Sequence, residues 1–422
     1  MRFIYSILWY LISPYLLLRL WWKGRQLPSY RKRIGERFGW GMSGVETFDV
    51  WIHAVSLGEV IAATPLIEQL AALQRRILVT TMTPTGAERV QRQFADRVVH
   101  RYIPYEFPGA MRRFFQTYQL RTGIIFETEL WPNLIHYATQ ARVPLYLFNA
   151  RLSEKSLQGY RKIRCIIKPM LRSFKAIYTQ AREDAQRFKM LGAQENQVTT
   201  LGNIKFDLQT KVCARDEFDH LKRTWGEDRI VVIIASTHDN EEQQILMRLP
   251  SLQKAIPHVL LLIAPRHPER FDKVVRLSRE MGFNTGQRSQ PDTLNSDNDV
   301  IVIDTLGELL ACYQISDYAF VGGSLLPIGG HNMLEPVAMH VPVFSGKYVH
   351  NFKAIVRDLE EAEAIILVND AQELLSGIVA LHQDREKRNR LVNNASHVLE
   401  INKGAVARYV EIVESALANG QG

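Results

Sequence analysis

Residues 49–73 read DVWIHAVSLGEVIAATPLIEQLAAL, and the order of features in this stretch decides the fold. The apolar run 50–53 is short enough for a buried strand. Ser56-Leu-Gly-Glu59 has the spacing of a helix start, in which a serine caps the first turn and a glutamate reaches back to it. Residues 61–73 then recur at helical spacing. Strand, tight turn and helix make the opening of a βαβ unit, which requires a parallel sheet.

The same alternation continues outward from this stretch. Strands are predicted at 77–81, 98–103, 123–126, 145–149, 176–179 and 198–201, with helices at 61–73, 85–94, 134–141 and 160–172. A polar, charged stretch at 207–228, which includes Asp207, Lys211, Arg215, Asp216, Glu217 and Asp219, interrupts the pattern and reads as a linker. A second series follows, with strands at 230–235, 259–264, 300–303, 318–321, 341–344 and 365–368. Residues 284–299 read as an exposed loop, and helices at 385–400 and 404–418 finish the chain. The expected fold class is α/β: two doubly wound, Rossmann-like domains facing a cleft, with an N-terminal membrane-anchoring helix. The expected division is an anchor at 1–24, a first domain at 25–206, a linker at 207–228, a second domain at 229–400 and a C-terminal helix at 401–422. In such sheets ligands gather beyond the carboxyl ends of the strands, so residues just after strands are the candidates for chemistry.

With 422 residues the chain has room for two domains, and 46% hydrophobic with 23% charged residues suits a globular body. A formal net charge of +8 favours acidic partners: nucleic acid, anionic lipid or an anionic substrate. Cys165, Cys213 and Cys312 lie far apart and read as reduced thiols. The start is different. Residues 3–18 are almost wholly apolar, Arg19 interrupts, and Trp9, Tyr10, Tyr15, Trp21 and Trp22 are suited to headgroup depth. Pro14 sits in mid-segment, so the anchor either spans marginally or lies in the interface. Lys23, Arg25, Arg31, Lys32, Arg33 and Arg37 follow at once, which favours the cytoplasmic side of an anionic membrane. The alternative for this segment is an amphipathic helix buried in the fold.

Glu59 stands at the edge of the expected cleft and has the chemistry of a base for an acceptor hydroxyl, yet Ser56-x-x-Glu59 is equally a capping box. Glu127-Thr-Glu-Leu-Trp-Pro-Asn133 follows a strand with two carboxylates and a tryptophan, suited to sugar hydroxyls or to a polar turn. Asn203-Ile-Lys205-Phe-Asp207 places a lysine at the junction, where it would neutralise a carboxylate or phosphate or simply face solvent. Arg266 and His267 precede a helix start, a place where phosphate is bound by side chain and backbone N–H together. Gly322-Gly-Ser324 and Gly329-Gly-His-Asn-Met-Leu-Glu335 let backbone approach a ligand, with Asn332 and Glu335 set for a ribose; the competing reading is a glycine turn with Asn332 as helix cap. There is no Gly-x-x-x-x-Gly-Lys-[Ser/Thr] loop and no His-Glu-x-x-His. Asp297-Asn-Asp299 precedes a strand rather than following one, so no metal is expected.

The strings YRKRIGERFG (30–39), HAVSLGE (53–59), TTMTPTGAERV (80–90), ETELWPN (127–133), NARLSEKS (149–156), NIKFD (203–207), PRHPERF (265–271), VGGSLLPIGGHNMLEP (321–336) and HNFK (350–353) resemble, in order and spacing, the 3-deoxy-D-manno-octulosonic acid (Kdo) transferases of lipopolysaccharide assembly. The resemblance implies a GT-B fold and inverting, metal-independent transfer of Kdo from CMP-Kdo to a glucosamine hydroxyl of a lipid A precursor, with no cofactor. It implies Glu59 as general base and Glu127 with Lys205 as transition-state support. It assigns the nucleotide to Arg266 and His267, to Leu306, Gly307 and Glu308, and to Asn332, Met333, Leu334 and Glu335. Met333 stands where the family often has proline. The implied partners are the donor, the lipid acceptor and anionic lipid at the cytoplasmic face of the inner membrane, all matched by the positive charge. Competing readings are a nucleotide-sugar epimerase or other GT-B transferase and a membrane-surface lectin-like protein. A nucleic-acid binder ranks last, because the basic residues cluster beside the anchor without stacking aromatics.

Overall fold

A computed structural model describes residues 2–26, 28–41, 44–207, 215–226 and 228–419. The chain divides into two compact units, Met1–Asp207 with Asn402–Gly422, and Leu208–Ile401.

The first unit carries β1 (Glu46–His53), β2 (Ile77–Thr81), β3 (Val99–Tyr102), β4 (Tyr118–Phe126), β5 (Leu145–Ala150), β6 (Phe174–Thr179) and β7 (Val198–Thr200) in the order β3-β2-β1-β4-β5-β6-β7. Neighbours are parallel, with Ile52 opposite Val79 on one side and Ile124 on the other. Val50, Trp51, Ile52 and His53 are all buried, the mark of a strand covered on both faces. Trp51 packs with Phe114 and Phe115 on one face, while Val50 and Ile52 meet the helix Leu57–Ala72 on the other. The strand order reverses between β1 and β4, which makes their carboxyl ends the ligand-binding position of this unit.

The second unit carries β8 (Val231–Thr237), β9 (Leu260–Pro265), β10 (Thr285–Gln287), β11 (Val300–Val302), β12 (Tyr318–Val321), β13 (Val343–Gly346) and β14 (Ile366–Val368), ordered β10-β11-β9-β8-β12-β13-β14 and parallel. Here the reversal falls between β8 and β12.

Several boundaries differ from the sequence reading. Within 207–228, residues 208–214 (with Lys211 and Cys213) and 227 lie outside the described residues, but Arg215–Trp225 is helix rather than linker. Its Phe218 and Trp225 are buried beside Val231 and Ile233 of the second unit. The apolar stripe Phe218, Leu221, Trp225 has helical spacing, hidden among many charges. The last helix, Ala405–Asn419, does not stand apart as a separate element. It completes the first unit: Val406, Tyr409 and Val413 share a core with Val50, and Tyr409 stacks on Phe148 at 4.3 Å. Asp207 accepts from the backbone N–H of Gly404 (2.6 Å) and of Val406, capping that helix from a distant point in sequence. Residues 160–172 are two helices, Glu154–Lys162 and Arg164–Ser173, and the expected loop 284–299 contains strand β10. Asp299 is spent on structure, accepting from Asn284 N–H (2.9 Å) at the start of the loop and from Gln253 (2.6 Å) on the helix Leu249–Ala255.

The N-terminal segment is a bent pair, Arg2–Leu11 and Ser13–Gln26. Among the described residues no single helix is long and apolar enough to cross a membrane; a 50° bend separates the two halves. Pro14 explains the break. It has no N–H to offer the carbonyl of Tyr10, and the Ser13 hydroxyl donates there instead at 2.7 Å. One face, with Trp9, Leu16 and Leu20, packs on Tyr105, Phe107 and Ala110 of the first unit. The other leaves Phe3, Leu11, Leu18 and Trp22 exposed.

Candidate functional site

In the first unit an acidic cluster gathers beyond β1 and β4. Ser56 caps the helix Leu57–Ala72, its Oγ accepting from Glu59 N–H at 3.4 Å. The Glu59 carboxylate accepts in return from the Ser56 hydroxyl (2.7 Å) and from Val55 N–H (2.8 Å). The capping interaction is therefore real, and it does not stop at capping. Burial, then the negative charge of Glu129, pushes the Glu59 carboxyl up to about 7, against the two hydrogen bonds. A carboxyl with that proton affinity exchanges its proton at neutral pH.

Glu127 follows β4 directly with φ of 56°, a left-handed conformation that a non-glycine residue adopts only under constraint. Its N–H is tied to Phe148 O at 3.0 Å, and its carboxylate lies 3.1 Å from Arg151 and 3.6 Å from Lys205. The fold thus joins Glu127 and Lys205, which are far apart in sequence. Buried Asn149, also at positive φ, helps to join them: its Oδ1 accepts from Ile204 N–H (3.1 Å) at the start of the turn Ile204–Phe206 that carries Lys205. Glu129 is half-buried, and burial raises its proton affinity while a 2.5 Å hydrogen bond from Trp131 Nε1 lowers it. His53, buried at the end of β1 with its Nδ1 2.9 Å from Thr80 Oγ1, is pushed down to about 4 by burial and is neutral. Arg151 and the electrostatic part played by Glu129 escaped the sequence reading, although both lie inside strings it singled out.

In the second unit a basic and imidazole cluster gathers beyond β8, β9 and β12. Arg266 and His267 are exposed. Beside them His238 and His331 stack with planes 1° apart and Nε2 atoms 2.8 Å apart, and the His267 ring lies 5.3 Å from His238. Burial, then Arg266, pushes His331 down to about 4, and burial also lowers His238, so one shared Nε2 proton suffices for the pair. His238 carried no motif and was missed.

Glu241 was missed as well. Fully buried, it accepts from the backbone N–H groups of His238 (3.0 Å), Gly323 (2.8 Å), Ser324 (3.1 Å) and Leu325 (3.0 Å). Those N–H groups are already used, and they fix the loop beside His238 and His331. A side chain at Gly323, where φ is 67°, would meet His331 at 2.9 Å.

Asn332 lies just before the helix Leu334–Ala338 and is held within its own segment. Its Oδ1 accepts from Leu334 N–H (3.2 Å) at the helix start and its Nδ2 donates to Glu335 Oε1 (3.1 Å). Burial raises the proton affinity of Glu335. Met333 and Leu334 are wholly buried, so their side chains belong to the core and only their backbone is left for a ligand. Leu306 is 76% exposed and Gly307 has φ of 89°, while Glu308 accepts from Arg288 (3.0 Å) and from the Thr305 hydroxyl. Among the described residues no group of three or more His, Cys, Asp or Glu is arranged to hold a metal ion.

Two parallel seven-stranded sheets, each with polar residues at its switch point, define a GT-B-like two-domain α/β architecture. A glycosyltransferase of Rickettsia africae ESF-5 shares that fold, with a TM-score of 0.57 at 13% identity, covering 89% of this chain and 100% of its own. Residues 32–208 match the family described as 3-deoxy-D-manno-octulosonic-acid transferase (kdotransferase). The 3-deoxy-D-manno-octulosonic acid transferase of Haemophilus influenzae is 39% identical over 421 residues, 99% of each chain. The C-terminal CMP-Kdo binding domain of WaaA from Acinetobacter baumannii is 37% identical, covering 44% of this chain and 97% of its own, with a TM-score of 0.42. The chain belongs to the Kdo transferase family and is a glycosyltransferase that transfers Kdo.

Proposed function

We propose that the first unit binds a lipid A precursor and the second binds CMP-Kdo, and that Kdo passes to a glucosamine hydroxyl in one displacement. Glu59 takes the hydroxyl proton as the new C–O bond forms; the bond from the anomeric carbon to the cytidylate phosphate breaks, and CMP leaves with the electron pair. A single displacement inverts the anomeric centre. Carboxylates near the anomeric carbon favour its developing positive charge, and Glu127, held by Arg151 and Lys205, is fixed for that role. Arg266 and His267 meet the departing phosphate, and Glu335 the ribose. The residues hold this chemistry without calling on a metal or cofactor.

The observation that carries this reading is Glu59 itself. It is a buried carboxyl at a sheet's switch point, pushed up to about 7, the value at which an acid serves as a base near neutral pH. The exposed apolar face of the N-terminal pair, flanked by Lys23, Arg25 and Arg31, supports placement at the cytoplasmic surface of the inner membrane, where the acceptor resides. The test is mass spectrometry of a lipid A precursor incubated with purified protein and freshly generated CMP-Kdo. The protein adds Kdo to the precursor; Glu59→Gln lowers the rate by about 10²-fold or more. Retained turnover in that variant refutes the base.

A further inference from the structure

The N-terminal helix pair does more than lie on the first unit. Its hydrogen bonds to the rest of the unit reach Asn133 and Glu106, which itself binds Asn133 and Leu134, and its Trp9 ring meets Trp131 as well as Tyr105 and Phe107. Arg2 donates to Asn133 Oδ1 (3.1 Å), and Ser6 Oγ accepts from Asn133 Nδ2 (3.0 Å). Tyr5 hydrogen-bonds to Glu106, whose carboxylate accepts from the N–H groups of Asn133 (2.6 Å) and Leu134 (2.8 Å), closing the start of the helix Pro132–Gln140. The Trp9 ring lies 6.1 Å from Trp131 while stacking on Tyr105 and standing edge-on to Phe107. Trp131 in turn donates to Glu129 at 2.5 Å. A helix needed only for attachment has no reason to converge on residues 131–134, immediately after the acidic cluster.

We infer that the N-terminal helix pair is a positioning element of the transfer reaction: Trp9 holds Trp131, and Trp131 holds the Glu129 carboxylate beside Glu59 as its electrostatic partner. The inference rests on the reading of Glu59 as base. Glu129 is then a positioning residue, acting through Glu59 rather than on substrate. The charges acting most strongly on Glu59 are Glu129 and then Glu127, and Glu127 is itself offset by Arg151 and Lys205. The helix bearing Glu59 also packs on Pro84–Phe94, Ala405–Asn419 and the turn Ile204–Phe206, which bring Glu88, Arg89, Arg408, Glu411 and Lys205. None of these elements carries the bond to Trp131. Without the Trp131 N–H, Glu129 either takes up a proton or swings toward water. Both outcomes remove negative charge from the neighbourhood of Glu59, which then ionises at lower pH.

The experiment follows the Glu59 carboxyl by ¹³C NMR of glutamate-labelled full-length protein, its resonance identified by its loss in Glu59→Gln, together with the pH profile of kcat. Glu129→Gln and Trp131→Phe each move the Glu59 midpoint, and the acid limb of kcat, to lower pH by about half a unit or more, and the double variant moves them no further. Trp9→Leu moves them the same way by less. A merely structural Trp131 lowers kcat equally at every pH and leaves the midpoint in place. A midpoint unmoved within about 0.2 unit in Glu129→Gln overturns the inference; that variant keeps an acceptor for Trp131 and covers the case in which Trp131→Phe does not fold. An unmoved midpoint in folded Trp9→Leu refutes the link to the N-terminal helix. Because the NMR titration needs no turnover, full activity in Glu59→Gln sinks the base assignment while leaving the coupling itself measurable.

Discussion

Glutamine at position 59 separates a capping carboxylate from a strained base by the sign of its effect on stability. Folding moves the Glu59 carboxyl from 4.5 to about 7. Between those values the folded chain keeps a proton that the unfolded chain has released. The contribution of this group to stability is therefore greatest below pH 4.5, falls as pH rises through that window, and is level above about pH 7. At about 1.4 kcal/mol per unit, the ionised carboxylate costs the folded protein up to about 3 kcal/mol at pH 8. Glutamine removes that cost. Its oxygen still accepts from Val55 N–H and its amide donates to Ser56 Oγ, so the capping loss stays near 1 kcal/mol. Glu59→Gln is expected to be more stable than the parent by about 2 kcal/mol at pH 8, with the gain gone by about pH 5. Urea unfolding at the two pH values measures it, with hydrogen exchange of the buried β1 amides reporting on the unit that holds position 59. A variant less stable than the parent by more than about 1 kcal/mol at pH 8 would show that the carboxylate is there to close the helix.

Two other perturbations probe the second unit and the N-terminus. Glu241→Ala leaves four backbone N–H groups, three of them buried, without their acceptor and is expected to destabilise the second unit by about 3 kcal/mol or more, with Glu241→Gln milder. Calorimetry and titration with CMP check it; an unchanged unfolding temperature and CMP affinity would mean that water replaces the carboxylate freely. The protein is expected to float with vesicles containing anionic lipid, and Leu18→Ser with Trp22→Ser to weaken that binding at least about tenfold. Undiminished flotation would exclude the exposed apolar face as the contact.

The succession of short apolar runs and amphipathic stretches was enough to establish two parallel α/β sheets, because a strand buried on both faces must be apolar along its whole length. The order of polar residues after those strands likewise located Glu59, Glu127, Lys205, Arg266 and Asn332. Local pattern could not reveal that Phe218 and Trp225 belong to a core, since charges outnumber them in their helix, or that Ala405–Asn419 returns to the first unit. Nor could it settle Glu59, whose motif is the same for a cap and for a base. Proton affinity depends on which charges lie within a few ångströms and how much water is excluded. Sequence neighbours supply the Ser56 and Val55 hydrogen bonds, but only the folded chain brings Glu129 and the burial that outweigh them. Chemical identity at each position was written in the chain; the balance of charge and solvent that raises the proton affinity of a capping glutamate arose from packing distant segments together.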